Sequence, residues 1–372
     1  VHGRVAFYAP LKAPDHPTPS GDRRMGRLLI QALEATGAEV SVATEFRSHD
    51  QQGDPLRQMS LRATGTAMAD RLIAQYRALQ PRDRPTAWFT YHLYHKAPDW
   101  LGAKVSTALE IPYLVAEASF APKQAGGPWD LGHQAAAQAI GAANWVFCLT
   151  QLDMACVEPL VPDGHQLVFL PPFLDASAIL EGRRDRATLA ARHRLDPDRR
   201  WLLCVAMMRP GDKLHSYQRL AAALNRLGRE DWQLLVVGDG AARAEVEAAL
   251  APIAGQCAML GAVPPSALPE IYRGCDIYVW PGVGEAYGMA YIEAQAAGLP
   301  VVAGHERGVP DVVRNGETGL LTAPGDDGAF AEAVGRLLDD DQLRAGLGNA
   351  ARDFVARQRT VASAAAVLGA AL

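Results

Sequence analysis

The chain has 372 residues and a formal net charge of −5, from 36 lysines and arginines against 41 aspartates and glutamates. That length favours two domains over one, and the acidic balance provides no global field to recruit nucleic acid. With 49% hydrophobic and 21% charged residues the composition is globular, and a large core forms without disulfide or metal staples.

The five cysteines, Cys148, Cys156, Cys204, Cys257 and Cys275, are odd in number and include no C-x-x-C pair. They read as reduced, buried thiols of a cytosolic protein. No stretch approaches the ~18 consecutive apolar residues of a membrane-spanning helix. The start, Val1-His2-Gly3-Arg4, lacks the charged segment and apolar core of a signal peptide. The expected setting is the cytoplasm, with peripheral contact at the inner face of the membrane as a second option.

In chain order, residues 5–8 read as a first strand, 25–36 as a helix and 39–43 as the next strand. Further strands are expected at 87–91, 112–116, 145–149 and 167–170, with helices at 68–79, 101–109 and 132–141 between them. Alternating strands and helices imply a parallel sheet covered on both faces. After a polar stretch at 175–200 the pattern restarts. Strands are expected at 201–206, 233–237, 257–260, 277–280, 301–303 and 319–322, and helices at 217–227, 241–250, 265–272, 290–297 and 330–338. The fold class is therefore α/β. The expected domains are 1–172, 173–350 and a C-terminal helix at 351–372 that packs back on the first domain. Ligands of such sheets sit at the carboxyl ends of the strands, here in a cleft between the two domains.

The most informative string is GEAYGMAYIEAQAAGLPVV, residues 284–302. It follows a strand, opens with a glycine-rich turn, forms a helix and closes with a glycine before the next strand. Glycines let the backbone approach a ligand, and a helix start near Gly288 offers unpaired N–H groups to a phosphate. Glu285 precedes that helix and Glu293 lies about one and a half turns into it; ionised carboxylates accept hydrogen bonds from paired hydroxyls. Two such carboxylates also occur on ordinary solvated helix faces, so the weight rests on the whole string.

That string resembles the donor-site signature of glycosyltransferase family 4, the group 1 glycosyltransferases. The resemblance implies the GT-B fold, two facing Rossmann-like domains with the donor bound mainly by the second. The run from Val205 to Lys213 resembles the family's strand-then-Arg-x-x-x-Lys loop, which assigns Arg209 and Lys213 to the donor diphosphate. Val263, in the turn after residues 257–260, is implied to lie near the nucleotide base. Residues 308–321 also match. The implied donor contacts are Gly21, Arg209, Lys213, Val263, Glu285, Tyr287, Gly288, Met289, Ala290 and Glu293, with Glu285, Glu117, Arg209 and Lys213 as the catalytic set. The resemblance implies a nucleotide diphosphate sugar as co-substrate, retaining transfer, no metal and no cofactor. The acceptor, whether carbohydrate, lipid or small molecule, is not legible.

The first half departs from the family. Residues 18–24, Thr18-Pro19-Ser20-Gly21-Asp22-Arg23-Arg24, read either as a loop facing donor and acceptor or as a simple strand–helix turn. Glu117 stands where many relatives carry a functional histidine; His92, His95 and His133 are nearby substitutes or packed histidines. Pro172-Phe173 replaces Asn-Gly and stiffens the hinge. Arginines 57, 62, 71, 77, 82 and 84 form either an anionic-lipid contact or a solvated helix face. An epimerase or a phosphorylase is a poorer match. A non-catalytic sugar-nucleotide-binding subunit of a transferase complex is the alternative that Glu117 motivates.

Overall fold

The structure is a computed structural model and describes residues 3–17 and 20–372; Thr18 and Pro19 of the first loop lie outside the described residues. Two compact units form, Val1–Pro171 with Val361–Leu372, and Pro172–Thr360. Each is built on a six-stranded parallel sheet flanked by helices.

Unit 1 holds β1 (Arg4–Tyr8), β2 (Glu39–Thr44), β3 (Ala87–Leu93), β4 (Tyr113–Ala118), β5 (Trp145–Cys148) and β6 (Gln166–Phe169), in the order β2-β1-β3-β4-β5-β6. Alternate residues point to opposite faces. Phe7, Phe89 and Phe147 therefore stack across three strands at 5.5 and 6.4 Å, while Tyr8 and Trp88 meet at 6.2 Å. Unit 2 holds β7 (Arg200–Val205), β8 (Trp232–Val237), β9 (Cys257–Gly261), β10 (Ile277–Trp280), β11 (Val301–Gly304) and β12 (Gly319–Thr322), in the order β12-β11-β10-β7-β8-β9. In each sheet the strand order reverses once, between β1 and β3 and between β7 and β10. Loops leaving the carboxyl ends of those strand pairs diverge and leave room for a ligand.

Buried carboxylates tie the layers together. Asp99, 6% exposed, accepts hydrogen bonds from Thr90 Oγ1, the backbone N–H groups of Leu101 and Gly102, and Tyr113 Oη, at 2.6–2.9 Å. One side chain thus joins β3, β4 and the start of the helix Gly102–Leu109. In unit 2 Asp276, 8% exposed, accepts from Arg184 at 2.6 Å, Arg186 at 3.0 Å and the Trp201 backbone at 2.8 Å.

Three expectations change. The second helix runs Pro55–Ala78 and begins well before residue 68, because Asp54 caps it and Pro55 pre-sets its first turn. The terminal helix expected over 351–372 is two helices. Asp341–Gln358 ends where the Arg359 carbonyl accepts from Leu174 N at 3.0 Å, and Val361–Leu368 follows and packs against Gly21–Ala35. Cys156 is exposed, on the solvent side of the short helix Gln151–Val157, while Cys148, Cys204 and Cys275 are buried; all five thiols are free.

Removing the Asp99 carboxylate strands four buried donors. Asp99→Ala is expected to destabilise the protein by about 3–4 kcal/mol, and Asp99→Asn, which keeps one acceptor oxygen, by less. Urea unfolding followed by circular dichroism measures both; a loss below about 1 kcal/mol for the alanine variant would contradict the role given to Asp99.

Candidate functional site

Unit 2 concentrates its polar chemistry at its switch point. The loop after β7 leads at Gly211 into the helix Asp212–Asn225, and the loop after β10 leads at Gly288 into the helix Met289–Ala296. Both glycines have positive φ, 81° and 76°, and neither helix start receives a side-chain cap. Ser20, Asp54, Thr150, Asp185, Asp326 and Asp340 cap other helices with their own oxygens, while the starts at Trp129, Ala242 and Ala267 are uncapped as well. Each uncapped start presents N–H groups without intrahelical partners, at the positive end of the helix dipole. At Gly288 a Cβ would strike the Tyr291 ring, and it would come within 3.2 Å of the Glu285 side chain. Only a glycine lets the chain turn so tightly there.

The two helix starts are joined by an ion pair. Lys213, in the first turn after Gly211, places Nζ 2.5 Å from Glu285 Oε2, in the loop after β10. Trp280 Nε1 donates to the same oxygen at 3.3 Å, and the ammonium lies 5.5 Å from the Trp280 ring. Ser216 Oγ accepts from Val283 N at 2.9 Å and donates to the Asp212 carbonyl at 2.7 Å. Tyr217 reinforces the junction: its hydroxyl donates to the Ala206 carbonyl at 2.8 Å and its ring meets Trp280 edge-on at 4.9 Å. The two residues that the sequence assigned to diphosphate and sugar therefore hold each other.

Glu293 sits deeper, 5% exposed, and its Oε2 accepts from Tyr272 Oη at 2.6 Å. Arg209 is exposed beside the helix start, and its guanidinium forms no ion pair among the described residues. Met289 and Ala290 are half-buried at the helix start, and Tyr287 and Val263 pack their apolar parts on the core of unit 2. Val263 follows β9, the edge strand two places from β7, so it stands to one side of the Lys213–Glu285 pair.

In unit 1, Gly21 opens the helix Gly21–Ala35, with open space around the position of a Cβ. Glu117 lies in β4 near its carboxyl end, and His92 occupies the same level of β3. His92 Nδ1 is 3.1 Å from Asp22 Oδ1 and 3.8 Å from Glu117 Oε1. The other two histidines are packed: His133 stacks on Phe120 at 4.5 Å, and His95 lies edge-on to Tyr94 and Trp129. Sequence reasoning missed Asp22, Ser216, Tyr272 and Trp280. Asp22 alone carried a signal, as the acidic residue in the first turn of the helix that follows β1; the others are found only through strand order.

Known proteins match this chain in sequence over part of its length and in fold over the whole of it. Residues 185–354 match the family model described as Glycosyl transferases group 1. A D-inositol 3-phosphate glycosyltransferase of Corynebacterium glutamicum (strain R) is 43% identical over 102 residues, 27% of this chain and 24% of that protein. A GDP-mannose-dependent alpha-(1-6)-phosphatidylinositol monomannoside mannosyltransferase of Mycobacterium tuberculosis (strain CDC 1551 / Oshkosh) is 30% identical over 202 residues, 52% of each chain. The matches thus span between about a quarter and about half of the length of these curated relatives. Over the whole chain the fold is similar to that of Anabaena Alr3699/HepE, solved in complex with UDP and glucose, with a TM-score of 0.70 at 16% identity and 99% of each chain covered. The α/β architecture of two six-stranded parallel sheets is that of the GT-B glycosyltransferases. The domain formed by residues 185–354, which carries Arg209, Lys213, Glu285 and Glu293, belongs to the group 1 glycosyl transferases.

Proposed function

We propose that the chain transfers a hexosyl group from a nucleotide diphosphate sugar to an acceptor hydroxyl, with retention at the anomeric carbon. The observation that carries this reading is the pair of uncapped helix starts at the unit 2 switch point, joined by Lys213 and Glu285, within the segment that matches the family model. The names of relatives give support: one is GDP-mannose-dependent and one neighbour was solved with UDP and glucose.

In this reading the donor diphosphate meets Arg209, Lys213 and the N–H groups at Gly288–Ala290. Glu293 takes the ribose hydroxyls and Glu285 those of the donor sugar. Val263 and Tyr287 flank the nucleotide. Binding requires Lys213 to share or exchange its contact with Glu285, so the ion pair keeps both side chains in place until the donor competes for them. As the acceptor oxygen bonds to the anomeric carbon, the bond from that carbon to the diphosphate oxygen breaks. The acceptor's proton passes to the leaving phosphate on the same face, and no protein nucleophile is needed. Fixed cations and helix dipoles stabilise the charge that develops on the leaving group. The reading assigns no cofactor and no metal to the reaction.

No helix among the described residues is long and apolar enough to cross a membrane. The reading places the reaction in the cytoplasm. Arg57, Arg62, Arg71 and Arg77 are exposed on the helix Pro55–Ala78, whose first turns also expose Leu56 and Met59, and suit contact with anionic headgroups at the inner membrane face.

Glu293→Gln is expected to weaken donor binding roughly 10–100-fold, as loss of a charged hydrogen-bond acceptor does; calorimetry with UDP-, GDP- and ADP-sugars measures it, and unchanged affinity would remove Glu293 from the donor site. Lys213→Ala is expected to lower kcat/KM by about 10²–10³-fold, and undiminished transfer would sink the assignment. Excess EDTA is expected to leave the transfer rate unchanged; a loss restored by a divalent cation would overturn the metal-free reading. Nucleotide-sugar binding by the wild-type chain without hydrolysis or transfer would instead favour a non-catalytic binding subunit.

A further inference from the structure

The amino-terminal edge of the unit 2 sheet holds a cavity of about 360 Å³. It is lined where β7 begins at Arg200, where Asp276 precedes β10, and where Gly298-Leu299-Pro300 leads into β11. The carboxyl ends of β7 and β10 carry the Lys213–Glu285 region, so the two places lie at opposite edges of one parallel sheet.

Positive charge is concentrated in the cavity. Five arginines line it against two carboxylates, a formal excess of three positive charges in a chain whose net charge is −5. Each carboxylate is shared between two cations. Asp276 accepts from Arg184 at 2.6 Å and from Arg186 at 3.0 Å, and Asp341 from Arg200 at 3.0 Å and Arg344 at 2.5 Å. The remaining two, Arg273 and Arg352, form no ion pair among the described residues. They bond to backbone carbonyls instead, Arg273 to Arg183 at 3.1 Å and Ala178 at 2.7 Å, and Arg352 to Leu180 at 2.6 Å.

Those bonds fix the two guanidinium groups without neutralising them. Ala178 and Leu180 belong to the short helix Ser177–Leu180, whose last carbonyls have no partner within the helix. A Cβ on Gly182 would collide with the Arg273 guanidinium, so the glycine lets the chain lie against it. Capping alone does not require the charge, since a neutral amide would donate to the same carbonyls. Each guanidinium has five N–H donors. Nη2 of Arg273, and Nε and Nη1 of Arg352, make no hydrogen bond among the described residues.

We propose that this cavity binds a compact multivalent phosphate, a diphosphate or a phosphate ester, remote from the donor site. Phosphate oxygens accept the paired N–H groups of guanidinium in a planar fork. A cleft walled by protein focuses a field of one sign and holds an anion more firmly than open surface does. The volume suits a ligand of the size of pyrophosphate or a sugar phosphate. Arg273 and Arg352 gain in the ligand the counter-charge that the chain does not give them. Arg184 and Arg200 are more exposed than Arg186 and Arg344, with which they share carboxylates, and turn their outer N–H groups to the same anion. The inference rests on unit 2 packing alone and is independent of the transfer reading.

The test is calorimetry on the full chain at about 150 mM salt, where weak surface attraction is screened. Pyrophosphate, fructose 1,6-bisphosphate and glucose 6-phosphate are titrated beside neutral glucose. The expected result is saturable binding of at least one phosphorylated probe with Kd below about 1 mM, and none of glucose. Phosphates are also drawn to the donor site, so binding is measured again in Arg209→Ala/Lys213→Ala, where it persists. In Arg273→Gln/Arg352→Gln, whose amides still donate to the helix carbonyls, affinity falls at least about tenfold. Arg352 is exposed, so Arg352→Gln alone keeps the fold; it is expected to weaken binding about threefold or more, and it decides the matter where thermal unfolding shows the double variant to be unfolded. Arg226→Gln, at an exposed position just after the helix Asp212–Asn225, leaves binding unchanged. No saturable binding of any phosphorylated probe, binding that Arg352→Gln and the double variant both retain in full, or binding lost with Arg209 and Lys213, would overturn the inference.

Discussion

The candidate site depends on one contact between two parts of the chain far apart in sequence, the 2.5 Å ion pair between Lys213 and Glu285. Its side chains are 29% and 16% exposed, so it is neither a solvated surface pair nor a fully buried one. Removing either partner leaves a partly desolvated charge without compensation. The pair also fixes geometry. It draws the loop after β10 toward the helix after β7, and Trp280 and Ser216 hold the same two segments with neutral hydrogen bonds. Both uncapped helix starts are thereby kept in place around one region. A donor diphosphate placed there would meet cations and N–H dipoles already oriented, with little reorganisation.

The same topological rule operates in both units, with different side chains. At the unit 2 switch point Arg209, Lys213 and two helix starts make the surroundings positive, apt for a diphosphate. At the unit 1 switch point Asp22 and Glu117 converge on the imidazole of His92. Neither arrangement is set by net charge, which is modest over the chain; each comes from residues that the strand order delivers to one sheet edge. Asp99 and Asp276 serve the scaffold instead. Each is saturated with donors, which is how a buried carboxylate that only holds structure looks.

Much of the fold was legible because parallel strands buried on both faces are near-continuous apolar runs, as in residues 234–237 and 277–280. Gly288, as the start of the helix Met289–Ala296, was legible because an uncapped glycine start has a local signature. What escaped depended on strand order. Nothing local says that Lys213 meets Glu285, that Tyr272 reaches Glu293, or that His92 rather than His95 or His133 turns toward Glu117. The helix Pro55–Ala78 was read late because its first turns expose Leu56 and Met59 and bury little, so that the cap Asp54 and Pro55 were its only marks. The terminal helix was over-extended because nothing in its alanine-rich sequence marks Arg359, whose carbonyl is taken by Leu174.

Amide hydrogen exchange of the full chain, with and without a saturating nucleotide sugar from a UDP-, GDP- and ADP-linked panel, tests the donor site most directly. The account predicts that one class of donor slows exchange together in residues 207–215 and 282–292, the two segments that the Lys213–Glu285 pair joins. Protection in neither segment, or in only one of them, with every donor of the panel would contradict it.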